Sequence, residues 1–393
     1  MYRSVARAVA AVSLFASLSS PLRAQQHQHG SLSSGGWQFM QEGVVFGVFN
    51  HQGGPRGVDE FKAPNWWMGM ASKDVDASRL TLRAMVSLDP ATAGKSGYAE
   101  IFQIGETLNG RPLVDRQHPH DFFMQLAAAW RMPLTTATSF TIGGGPAAEP
   151  ALGPVAFMHR ASAAEYPFAT LSHHTFDSTH IAFGVITAAV DRGPWTVEGS
   201  VFNGREPDEN RWNFDFAPLD SIAGRVWFRP GRWQFQASMG RLKDPEAFEP
   251  GTVQRTTASA AWLAESGSRS TALTIGYGVN ATSHGRRNAV FGEATRRWGG
   301  TAAFGRVESL QVETALLLDQ RVPASDEAAE RKDVVGAMTL GGIRDVTAWR
   351  QLTGGLGAAI TFYVVPAALR QTHGRHPVSF QLFFRLKYKE SRD

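Results

Sequence analysis

The 393-residue sequence contains no cysteine. That excludes thiolate metal sites, cysteine nucleophiles and disulfides, and it suits an exported protein that does without cross-links. No stretch of about 18 consecutive apolar residues occurs, so no transmembrane helix is predicted. Charged residues make up only 19%, and the formal net charge is +4. No concentrated basic run is present, which argues against nucleic acid as a partner. A fixed repeat of about 20 to 50 residues, the mark of solenoids and propellers, is also missing. Neither His-Glu-x-x-His nor Gly-x-Ser-x-Gly appears, so the helical zinc-hydrolase and nucleophile-elbow signatures are excluded.

What the chain has instead is glycine (40), phenylalanine (25) and tryptophan (11), a mixture suited to closely spaced strands with aromatic girdles. The most informative stretch is Val378–Tyr388. Val378, Phe380, Leu382, Phe384, Leu386 and Tyr388 fall on one strand face, and Ser379, Gln381, Arg385 and Lys387 on the other, with Phe383 the exception. At about 3.3 Å per residue such a strand is long enough to cross a bilayer core of roughly 30 Å when tilted. One strand cannot do so alone, because its backbone groups would be unpaired in hydrocarbon; a closed barrel is required.

The same two-residue period recurs along the chain. Strand-like runs fall at 37–50, 66–71, 79–88, 98–108, 121–132, 138–143, 179–190, 195–202, 221–229 and 233–242. Others follow at 255–263, 270–281, 289–298, 302–317, 334–343, 354–365 and 378–389. These make seventeen, and bacterial single-chain barrels favour even numbers. The expected fold is therefore all-β, a single closed antiparallel transmembrane β-barrel of about 16 strands (14–18). The short run 138–143 and the first run, a lead-in, are the ones in question. Long connections at 109–120, 144–178, 203–220, 243–254, 319–333 and 366–376 all fall at one end when strands are counted up and down. Short turns at one rim and long loops at the other are the asymmetry of outer-membrane barrels. Arg83, Glu198, Arg225, Gln234, Gln236, Arg385 and Lys387 are expected to point inward, since an arginine on the lipid face costs about 2–4 kcal/mol at mid-depth. Trp66, Trp67, Trp195, Trp212, Trp227, Trp233, Trp298 and Trp349 lie mainly near strand ends, where they anchor at the interfaces.

Residues 1–24 read as a secretory signal peptide, with Arg3 and Arg7 before an apolar core and Ala24 as the cleavage point. Residues 25–36 are a polar leader, and 37–393 the barrel. With Gln25 as mature N-terminus, His27 stands third, and a free amine, two amides and an imidazole can wrap Cu(II) or Ni(II) in a square plane. The plain alternative is a flexible leader.

Six of the 12 histidines lie on two successive long connections. They are His118 and His120 in Asp115–Asp121, His159 beside Arg160, and His173, His174 and His180 in Ser172–His180. Neutral imidazoles with a nearby carboxylate, here Asp121 or Asp177, are the usual ligands of Zn, Cu, Ni or Fe(II). Two other readings compete. The histidines can simply hydrogen-bond within a loop that narrows the lumen. Ser172 or Ser178 with His174 or His180 and Asp177 or Asp121 supplies the residue types of a lipid or peptide hydrolase, without a spacing that singles out a triad. The loop around Arg205–Arg211 reads as a solvated charge run.

Signal peptide, alternating strands and terminal strand together resemble the bacterial outer-membrane β-barrel class. That resemblance implies outer-membrane lipid and the barrel-assembly machinery as partners, and a pore or transport-associated role. The class ends on Phe or Trp, whereas here Tyr388 is followed by 389–393. The strings Arg116-Gln-His-Pro-His-Asp121 and Phe202-Asn-Gly-Arg-Glu-Pro-Asp208 resemble a group of uncharacterised bacterial exported proteins, which brings no activity with it. The expected function is a pore or transport barrel with a small solute or divalent metal ion as partner; the alternatives are a barrel hydrolase using the same cluster and a structural or binding barrel without conducted solute.

Overall fold

In the computed structural model, residues 32–34, 36–248, 250–318 and 331–389 are described; residues 1–24 and most of the leader, His27 included, lie outside them. The alternation read along the last strand continues around the whole molecule. Sixteen antiparallel strands form one closed barrel. They are β1 (Trp37–His51), β2 (Asn65–Val75), β3 (Ser78–Val86), β4 (Phe123–Pro133), β5 (Thr138–Ala148), β6 (Ala182–Arg192), β7 (Trp195–Phe202) and β8 (Ser221–Phe228). The second half comprises β9 (Trp233–Lys243), β10 (Thr252–Ser266), β11 (Arg269–Thr282), β12 (Gly285–Trp298), β13 (Thr301–Glu313), β14 (Lys332–Trp349), β15 (Leu352–Val364) and β16 (Val378–Lys389). Each strand pairs with its chain neighbours. Closure comes from β1, which pairs with β2 through residues 37–45 and with β16 through residues 42–51. Every wall strand thus has two partners, which leaves no edge to be solvated by lipid.

Of the seventeen expected runs, the misread one is 98–108. The residues Tyr98–Leu108 pair only with Arg111–Gln117, in a separate two-stranded hairpin. They are buried on nearly both faces, and Phe102 and Glu106 adopt positive φ. A flat wall strand tolerates neither. The run 138–143 is instead the start of the 11-residue strand β5, and the first run is the 15-residue strand β1, so neither is a short or leading piece.

The rim asymmetry is present. Connections β2–β3, β6–β7, β10–β11, β12–β13 and β14–β15 are two-residue turns at one end. At the other end lie the long connections 52–64, 87–122, 149–181, 203–220, 244–251, 314–331 and 365–377, with Ser283-His284 as the one short exception. Outward positions are apolar and exposed, as along Ile222, Ile275, Val307, Leu340, Leu356 and Leu382. Trp195, Trp233, Trp298 and Trp349 point outward near the short-turn rim, the place for an interfacial girdle. Trp227 and Trp66 face inward instead; Trp227 is buried beside Arg225 and Arg229, and Trp66 packs edge-on against His159.

The lumen is filled by two long connections that fold back into it. The hairpin Tyr98–Gln117 and the segment 149–181 pack Ile101, Phe102, Leu171 and Phe176 against the wall residues Phe291, Leu310 and Tyr363. Tyr98, Tyr166 and Phe168 do the same against Phe46, Phe304 and Phe383, which is why Phe383 breaks the polar alternation of β16. Inward arginines grip the same segment. Arg306 donates to the carbonyls of Phe168 and Ala169, Arg225 to those of Leu152 and Gly153, and Arg255 to that of His174. Arg385 bonds Glu165 and Asp345. The inward charges expected of a wet pore are thus present but engaged in holding an inserted plug.

Candidate metal-binding site in the lumen

The segment 149–181 is a series of tight turns held by polar anchors. Asp177 is the main one. Its Oδ2 accepts from the Phe157 amide at 2.9 Å and from Arg160 Nη1 at 2.7 Å, and its Oδ1 lies 2.8 Å from His173 Nδ1. Burial would push the Asp177 carboxyl up, but Arg160 and His173 outweigh it and hold it below the usual carboxylate range. Asp177 is therefore an anion that positions a histidine rather than a free ligand. Asp121 is likewise engaged, by Arg211 at 3.1 Å; its own carboxyl is pushed up by burial and by Asp215 and Asp208.

The six histidines converge. Ring centres of His118 and His174 lie 5.3 Å apart, His173 and His174 5.4 Å, His173 and His180 5.3 Å, and His180 and His120 5.5 Å. His159 lies beyond His120, lining the same cavity as His120, Trp66, Glu42 and Lys387. The column runs from the long-loop side, where the His174 carbonyl accepts from Arg255 of β10 and Asn280 of β11, toward the short-turn half of the lumen.

At the upper end, His118, His174 and Glu206 each bring one ligand-type atom within 4.8 Å of the others. His174 Nδ1 sits between two carboxylates, 3.1 Å from Glu206 Oε1 and 2.9 Å from Glu246 Oε1. Among the described residues, His118 Nε2 and Glu206 Oε2 are buried without a hydrogen-bond partner. Such atoms cost about 1–3 kcal/mol each when left unsatisfied, so a cation shared between them fits the donor set. Burial and the neighbouring His174 push His118 down to about 3. At neutral pH it is the neutral, ligand-competent imidazole. Burial acts the same way on His174, but Glu206 and Glu246 outweigh it and hold this imidazole up to about 10, so a metal ion binding there has to displace a proton from His174.

A glycine makes the fit possible. A Cβ on Gly105 would lie 2.1 Å from Cε1 and Nε2 of His174, so only a residue without one lets the ring lie against the hairpin.

Sequence reasoning found the histidines but not Glu206 and Glu246. Glu206 belongs to a loop that looked like a solvated charge run; both Glu206 and Arg211 are in fact buried, with side chains 8% and 4% exposed. No local pattern marks them, because the fold brings them to His174 from two other connections. The hydrolase pieces do not assemble: the Ser178 hydroxyl accepts from Arg255, and that of Ser172 faces Glu308, rather than an imidazole.

No protein-family model matches the sequence, and no curated protein does. Solved structures give the fold. The anion-selective porin from Comamonas acidovorans aligns with TM-score 0.53 and 11% identity over 90% of this chain and 100% of that one. OmpF of Salmonella typhi, in complex with daunomycin, gives 0.54 and 7% over 91% and 100%. OmpT of Vibrio cholerae, as a loop L8 deletion mutant, gives 0.53 and 9% over 90% and 100%. The chain therefore has the fold of bacterial outer-membrane porins.

Proposed function

We propose that this is an outer-membrane transport barrel whose inserted loops bind a divalent transition-metal ion, the cargo, through His118, His174 and Glu206. The observation that carries the reading is the convergence of two imidazoles and a carboxylate, from three separate connections, around buried atoms that have no hydrogen-bond partner among the described residues. Two nitrogens and an oxygen, with Glu246 in reach of the same imidazole, suit Zn, Cu or Ni better than Mg or Ca, which favour all-oxygen shells. The porin fold supports a role in passage across the membrane, and the plug confines passage to what the loops admit.

Full-length protein purified without a histidine tag should bind about one zinc ion per chain by calorimetry and metal analysis. His118→Ala and Glu206→Gln should each weaken binding at least tenfold. Gly105→Ala should do the same without touching a ligand, because its methyl group displaces the His174 ring. A wild-type chain that takes up none of Zn, Cu or Ni at micromolar concentration would remove the reading.

A further inference from the structure

Resting on that reading, we infer that His173, His180, His120 and His159 form a transfer path that carries the metal ion from the upper site to the short-turn side of the lumen. Three of these rings present the same chemistry. His173 Nδ1 faces Asp177 Oδ1 at 2.8 Å, His180 Nδ1 faces the Asp177 carbonyl at 2.7 Å, and His120 Nδ1 faces Asp89 Oδ2 at 2.8 Å. An acceptor at Nδ1 places the proton there and leaves the Nε2 lone pair for a metal, the arrangement in which histidine ligands are held in metalloproteins. Among the described residues, His180 Nε2 is buried with no hydrogen-bond partner.

The spacing fits transfer as well. With metal–nitrogen distances of about 2.0–2.1 Å, an ion shared by two imidazoles holds the ring centres about 5–6 Å apart. The successive separations along His174, His173, His180 and His120 are 5.4, 5.3 and 5.5 Å. Each ring can therefore share an ion with the next without moving far. Phe157 walls the path, its ring 5.7 Å from His173 and 6.2 Å from His120.

The path also leads somewhere. His120 and His159 line a cavity with Glu42, Trp66 and Lys387, and His159 lies 3.8 Å from Glu42 Oε1. The side chain of His159 is 26% exposed against 1% for His173, so the lower end of the column is more open than the ring next to the upper site. An orphaned nitrogen in mid-column and a carboxylate, Glu42, beside the last imidazole are groups that a passing cation would use.

Full-length protein should be reconstituted in liposomes enclosing a zinc-sensitive dye, with zinc outside. His180→Phe, and His180→Gln as the gentler variant, should slow zinc entry at least tenfold while binding zinc at the upper site within twofold of the wild-type affinity. Potassium chloride conductance should not change, which separates loss of the path from a displaced plug. Heat-modifiable migration on gels verifies the barrel in each variant. Zinc entry at the wild-type rate in the glutamine variant would overturn the path alone. Wild-type protein that binds zinc but does not pass it would do the same, whereas wild-type protein that binds none would remove the proposed function as well.

Discussion

Replacing Arg160 with methionine tests how the plug is held. The guanidinium is 2% exposed and bonds Asp177 at 2.7 Å, the Val155 carbonyl at 2.9 Å and both oxygens of Glu293 on β12 at 3.0 Å. It also lies 4.8 Å from the Phe291 ring. Methionine keeps much of the volume and the ring contact but removes one cationic partner from each of two buried carboxylates. Breaking a buried ion pair in this way costs about 3–5 kcal/mol. Glu293 retains Arg306 at 3.2 Å and Asp177 retains His173, which points to the lower end, about 3 kcal/mol. At roughly 1.4 kcal/mol per tenfold, local opening of the segment 155–177 should become more frequent by about two orders of magnitude. Hydrogen exchange of the amides in that segment, Phe157 first, reads this directly, while the wall strands keep their protection. Single-channel current in planar bilayers should rise in parallel. If the variant shows unchanged exchange and unchanged conductance, the plug is not held by this network and the energetic reasoning is wrong.

Two further outcomes follow from the same geometry. Ile275 lies mid-strand on the outer face of β11 and is 64% exposed, so Ile275→Arg should destabilise the barrel by about 2–4 kcal/mol in urea titrations in liposomes; a shift below about 0.5 kcal/mol would mean that this face does not meet lipid. The Asp177 carboxyl, faced by Arg160, His173 and His180, is held below its unfolded value of about 3.9. Its contribution is complete above that value and is lost as pH falls through the folded one. Protection of the plug should therefore persist from pH 7 to 5 and drop only in stronger acid; loss between pH 7 and 5 would contradict the assignment.

The wall was legible because one physical rule governs it: a strand between lipid and lumen must alternate. The last strand obeys it from Val378 to Arg385 apart from Phe383, and that exception is explained by Phe46, which meets its ring edge-on at 5.9 Å. The hairpin Tyr98–Leu108 misled for the complementary reason. Inside the lumen both faces are covered, so Ile101 and Phe102 are apolar in succession, a pattern that resembles a buried strand as much as a wall strand. The doubling of apolar residues was the available clue. The histidines stood out as a cluster in sequence, but their acidic partners did not. Glu206 and Glu246 reach His174 across 32 and 72 positions, and nothing local to either announces it. The arginines that hold the plug looked like pore lining, since an inward cation reads the same whether water or a carbonyl faces it.

The seam between β1 and β16 joins the two ends of the chain, with Gln381 donating to Asn50 across 331 positions. Assembly order follows from this. Both inserted segments are synthesised in the first half, yet the side chains that clasp them sit on late strands: Arg255, Arg306 and, on the final strand itself, Arg385 with Glu165. Sealing the cylinder and locking its contents are thus one event, and a chain stopped short of β16 leaves a stopper without its clasp.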